Sequence, residues 1–223
     1  MPDIVLSLIV IALTGILTAV LFMTIAKRKA EKDLEIREYC QSRGYLFSRS
    51  DKPLQKEISI KGPAFLLTST MASGYHDAQT GSDSWNRVSV WRTETSDADR
   101  LAFLLGSVSA SLDWERLPAT IKDAAMQTLL SEGGEGYSPE LASIVKTPAN
   151  RAFLLFQKTQ GSTGTALERM LPFLDKCPKE ARIVIDSKTS GVSVTCSNLY
   201  IRSLDDVRIL MDLGHACAGW PAV

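Results

Sequence analysis

The chain has 223 residues, and its 25 Lys+Arg are matched by 25 Asp+Glu, so the formal net charge is zero. That balance excludes the basic excess of a nucleic-acid binder, and no nucleic-acid partner is expected. Hydrophobic residues make up 45% of the chain, enough for one globular domain of ordinary core size once a long apolar run is set aside.

That run comes first. Residues 4–26 read IVLSLIVIALTGILTAVLFMTIA and carry no charge. As a helix they measure roughly 34 Å, longer than a hydrocarbon core of about 30 Å. Ser7, Thr14, Thr18 and Thr24 are hydroxyls that a helix satisfies on its own carbonyls. A secretory signal peptide competes for this segment, because Thr24-Ile25-Ala26 resembles a cleavage context. No basic residue precedes the run, however, and it is too long for such a peptide. A buried core helix would show a polar stripe, and none is present. The segment therefore reads as a single transmembrane helix (4–26) within a membrane anchor (1–26).

Lys27, Arg28 and Lys29 form the membrane flank, with Lys32 and Arg37 behind them and only Asp3 on the other side. The positive-inside rule then puts the N-terminus outside and the rest of the chain in the cytoplasm, as a single-pass protein of the cell (inner) membrane. The lipid bilayer is thus the first expected partner. Contact between the flank and anionic headgroups reads as a by-product of anchoring, since recognition patches are usually richer in basic residues.

Residues 27–43 lack Gly and Pro and alternate in charge, which predicts a juxtamembrane helix acting as a solvated stalk, closed by Gly44. Residues 44–223 then form one cytosolic domain. Short strands are expected at 45–47 and 58–60, and a hairpin of 64–71 with 85–95 around a long polar loop at 73–84. An apolar strand at 101–106 precedes a helix from Pro118 to Leu130. The Gly-rich stretch 133–136 is the candidate hinge between two subdomains, and Ser138 caps a helix expected to reach Lys146. Further on come a strand at 151–158, a helix at 165–176 that Pro172 should kink or shorten, a hairpin of 181–186 with 191–197, and a strand at 199–202. Ser203 and Asp206 resemble a capping box opening a last amphipathic helix, 204–218. Hairpins and helices without regular β-α alternation predict an α+β fold: a mixed, mostly antiparallel sheet packed with amphipathic helices. Ala-Phe-Leu-Leu recurs at 64–67, 102–105 and 152–155, but its unequal spacing argues against a true repeat.

Candidate chemistry is sparse. His76 and Asp77 with Asp83 are a ligand or catalytic set by residue type, yet the expected loop offers little to hold them, and no metal is expected. Gly161, Ser162, Gly164 and Thr165 join a strand to a helix start, where free N–H groups suit a phosphate cofactor; the Lys of a P-loop is missing, and no cofactor is expected. His215 reads as a structural histidine. Cys40, Cys177, Cys196 and Cys217 form no C-x-x-C pair and read as reduced, buried thiols. Trp85 and Trp91, each with an Arg within two residues (Arg87 and Arg92), are the interaction candidates. The leading expectation is a cytosolic interaction or scaffolding domain that binds another protein at the membrane face. The alternative is a membrane-tethered enzyme, a hydrolase or phosphate-ligand site whose residues assemble only in the fold.

Overall fold

In the computed structural model, described for residues 2–77, 82–94, 102–109, 114–133, 137, 142–157 and 164–220, the apolar run and the charged segment form one unbroken helix. This helix, α1 (Pro2–Ser42), has 41 residues and so measures about 60 Å. Thr18 and Thr24 donate to the carbonyls of Thr14 and Val20, each at 2.8 Å, which satisfies the hydroxyls within the helix. Its apolar part is long and apolar enough to cross a membrane, and among the described side chains, from Ile11 onward, no contact buries it. Ile11, Leu17 and Phe22 are all more than 60% exposed.

The second half of α1 is not a solvated stalk. Ile36 is 1% exposed and Cys40 0%, both inside the main core, with Tyr39 packed against it. The charges predicted to keep the helix in water occupy the remaining faces, while Ile36 and Cys40 share one. Gly44, at φ +71°, ends the helix. Its N–H donates to Gln41 O, and the N–H of Tyr45 donates to Cys40 O at 2.8 Å, the two bonds of a Schellman motif.

Nine strands follow: β1 (Leu46–Lys52), β2 (Gln55–Lys61), β3 (Leu66–Asp77), β4 (Ser82–Thr93), β5 (Phe103–Val108), β6 (Ser143–Lys146), β7 (Ala152–Gln157), β8 (Arg182–Lys188) and β9 (Gly191–Ser197). They form one sheet in the order β1-β2-β3-β4-β9-β8-β5-β7-β6, and every pairing between neighbours is antiparallel. Three further helices, α2 (Ala119–Gly133), α3 (Gly164–Lys176) and α4 (Leu204–Ala218), complete an α+β fold.

The sheet has two kinds of half. One face packs against the end of α1, α3 and α4, through Ile58, Ile60, Leu67, Trp91, Val194 and Ile185. Among the described residues the opposite face is covered by α2 over β5, β7 and β8, where Leu129 meets Leu104, Leu154, Phe156 and Val184. That explains the repeated Phe-Leu-Leu: β5 and β7 are neighbours buried on both faces, with Leu105 opposite Leu155, so each needs a continuous apolar run. The strands β2 and β9 alternate instead, because among the described residues one of their faces has no helix over it.

Four local expectations change. Residues 143–146 are a strand rather than the end of a helix, as the β-branched pair Ile144-Val145 suits; the expected cap at Ser138 lies outside the described residues. The long polar loop is mostly sheet, since β3 and β4 extend to Asp77 and Ser82 with a register shift between Ser73 and His76. Residues 199–202 join no ladder. Helix α3 continues past Pro172, whose side chain is exposed.

The predicted cap on α4 is present. Ser203 Oγ accepts from Asp206 N–H and Asp206 Oδ2 accepts from Ser203 N–H at 2.9 Å, and the helix ends on Gly219 at φ +74°. A Cβ at Gly214 would overlap the Trp91 ring, so this glycine lets α4 lie directly on the sheet. Trp91 itself is edge-on to His215 and Trp220 and stacked on Phe65.

Candidate functional site

Residues 199–201 run along the sheet without strand bonds, held by two buried serines. Ile201 N–H donates to Ser69 Oγ at 2.9 Å, and Ser89 Oγ donates to the carbonyl of Leu199 at 2.9 Å. Ser69 and Ser89 face each other across β3 and β4, with their oxygens 2.8 Å apart. Because the Ser89 proton is committed to Leu199, Ser69 donates to Ser89, and both hydroxyls are satisfied as donor and acceptor. This relay fixes Tyr200 between its two neighbours and turns it towards α1.

The result is a cleft of about 320 Å³ between α1 and the domain, at the point where the apolar part of the helix ends. Arg28, Lys29 and Lys32 line it from α1, Arg49 from β1, and Tyr200 and Arg202 from the relay segment. Ile25 and Ile201 supply apolar wall, and Asp33 the one carboxylate in the lining. Residues 25, 28, 29 and 32 recur at helical spacing, so the stripe of α1 that carries Ile36 and Cys40 becomes cationic towards the apolar run.

Part of that charge is compensated. Lys29 Nζ lies 2.6 Å from Asp51 Oδ2, Arg49 Nε 3.1 Å from Asp51 Oδ1, and Arg49 also pairs with Asp33. Partial burial works against the Asp51 carboxylate, yet hydrogen bonds from Lys29 and Arg49 hold its pKa below the ordinary value. Arg28, Lys32 and Arg202 have no carboxylate partner among the described residues. Tyr200 is 7% exposed, and its hydroxyl is buried without a hydrogen-bond partner. Burial raises its pKa, with Arg49 and Arg202 pulling down and Asp51 and Asp33 pushing up, so these charges all surround the phenol.

The residues singled out in the sequence fall elsewhere. His76 pairs in register with Asp83, and Asp77 with Ser82, at the far end of the β3–β4 hairpin. Gly161 and Ser162 lie outside the described residues, as does most of the 133–136 stretch, while Gly164 and Thr165 open α3. Trp91 is fully buried, so its ring belongs to the core and offers no surface to a partner. Trp85 is half-buried with Lys56 Nζ 6.0 Å above its ring. Of the membrane flank, Lys27 pairs with Glu31 on the exposed side, whereas Arg28 and Lys29 turn into the cleft. His215 is packed in the aromatic nest.

The four thiols are buried and free. Cys217 Sγ lies 3.1 Å from Met170 Sδ, and burial pushes the Cys40 thiol up to about 11. Among the described residues no three His, Cys, Asp or Glu converge to hold a metal ion. Sequence reasoning missed Arg49, Tyr200 and Arg202, which come from two distant segments. The one local sign was the i, i+4 spacing of Arg28 and Lys32. Compared with protein families, curated proteins and solved structures, the chain matches none.

Proposed function

We propose that this is a single-pass membrane protein whose α+β domain is held against the cytosolic face of the cell membrane, where it binds another protein. The observation that carries this reading is the continuity of α1. An apolar helix with exposed side chains runs without a break through residues 24–26 and enters the core as Ile36 and Cys40. Cleavage at residues 24–26 would cut this helix ahead of its buried end, which favours an anchor over a removable signal peptide. The basic flank supports the cytosolic orientation.

The binding surface in this proposal is the sheet face over which no helix lies among the described residues. Thr68 is opposite Val90 and Thr70 opposite Val88, with Thr195 beside Val90 on β9. These side chains are half-buried, mostly β-branched and free of charge, which suits a protein contact better than a solvated wall. A photo-crosslinking residue at Thr68 or Val90 in the membrane-bound full chain should give a discrete protein adduct. The same residue at Ile121, exposed on α2, should not. Adducts absent from both sheet positions would refute the docking face.

A further inference from the structure

The geometry points to a binding site for the phosphate of an anionic phospholipid headgroup in the cleft between α1 and the Tyr200–Arg202 segment. The inference rests on the membrane-anchored reading and gives its cytosolic flank a specific task.

Five cations converge on the cleft: Arg28, Lys29, Lys32, Arg49 and Arg202. Asp33 and Asp51 neutralise two of them, so five minus two leaves an excess of three positive charges. A basic flank that served only orientation could lie on any side of the helix. Here Arg28 and Lys32 face the domain, where Arg49 and Arg202 confront them, and like charges so gathered repel unless an anion lies between them. Lys27, by contrast, points away and has its own partner in Glu31 at 3.9 Å.

Tyr200 is the independent observation. Its hydroxyl is buried, has no partner, and belongs to a residue lining this cleft. A buried donor left unmade is costly, and a phosphate oxygen would satisfy it. The position selects the source of that phosphate. Ile25 lies at the end of the apolar run and Arg28 one turn further, so the cleft opens at headgroup depth with an apolar wall on its bilayer side. The volume of about 320 Å³ holds a glycerophosphate-sized group.

The test is calorimetric titration of the full chain in non-ionic detergent with short-chain phosphatidylglycerol, short-chain phosphatidylcholine and inorganic phosphate. Phosphatidylglycerol should bind more tightly than either of the others. Arg202→Gln and Tyr200→Phe should each weaken it about tenfold, the scale of one charge-assisted hydrogen bond. Lys32→Gln should also weaken it, and Lys27→Gln should leave it within about twofold, as a paired charge outside the cleft. Tyr200→Phe keeps the ring and removes only an unpartnered hydroxyl, so folding is not at stake. Equal affinity for the two lipids, or equal losses for Lys27→Gln and Arg202→Gln, would overturn the site. Inorganic phosphate binding as well as phosphatidylglycerol would overturn the lipid assignment. Alkaline extraction of native membranes tests the anchor separately: release of the chain defeats the anchored reading, whereas the titration reports on the cleft in either case.

Discussion

Ile36→Ala separates a docked helix from a stalk. In the structure Ile36 is 1% exposed, so the change removes three carbons from a sealed core. At about 0.8 kcal/mol per buried carbon the transfer cost is about 2.4 kcal/mol, and the cavity brings the total to about 3–4 kcal/mol. Leu34→Ala, two residues away and 53% exposed, should cost well under about 1 kcal/mol. The assay is urea unfolding of the chain from Lys27 onward, followed by tryptophan fluorescence, since Trp91 sits in the same core. For a domain of this size the loss corresponds to roughly 6–16 °C in Tm. If Ile36→Ala stays within about 0.5 kcal/mol of the parent at an unchanged m-value, α1 is not part of the fold and the docking argument fails.

Gly214→Ala should destabilise the domain in spite of the better helix propensity of alanine. The added methyl meets the buried Trp91 ring, and overpacking of about 1–3 kcal/mol outweighs a propensity gain of about 1 kcal/mol; a raised unfolding midpoint would contradict this. Stability should fall in alkali, because burial raises the Cys40 thiol from its ordinary value to about 11 and also raises Cys217. The folded chain then holds protons that the unfolded chain has lost above about pH 8.5, so unfolding is favoured as pH rises through that window; a urea midpoint constant from about pH 8 to about pH 10.5 would refute it. An alkaline phosphatase fused to the C-terminus should be inactive and a cytosolic reporter active, and the reverse pattern would invert the proposed orientation. Arg49→Met should cost more than about 1 kcal/mol in folding, because it strips the part-buried Asp33 carboxylate of its partner; an unchanged urea midpoint would contradict this.

What could be read from the sequence was whatever one segment decides alone. The apolar run, the Gly44 stop, the Ser203–Asp206 box and the 181–197 hairpin each depend on neighbours within a few residues, and each is present. The role of 27–43 is not legible in its own residues, because Ile36 and Cys40 sit among so many charges that the segment reads as a solvated helix until a sheet is placed against it. The helix expected before Lys146 failed for a similar reason, since pairing with β7 decides the state of Ile144 and Val145. Residues 199–202 have the composition of a strand, but the Leu199 carbonyl and the Ile201 N–H bond to the side chains of Ser89 and Ser69, more than a hundred residues earlier. The cleft was hidden for the same cause: Arg49 and Arg202 come together only after the sheet forms.

The Schellman turn at Gly44 is the first bend in the backbone after Pro2, and Cys40, one turn before it, is already in the core. A protein tethered by a flexible linker sweeps out a volume and finds partners throughout it. Here no such joint separates the apolar helix from the sheet. On the anchored reading, the domain cannot reach outwards; it rides at fixed height and tilt, and a partner must arrive by lateral diffusion or already lie within a thin layer next to the bilayer. Any tilt of the helix, whether from bilayer thickness or a neighbouring span, would turn the whole sheet with it.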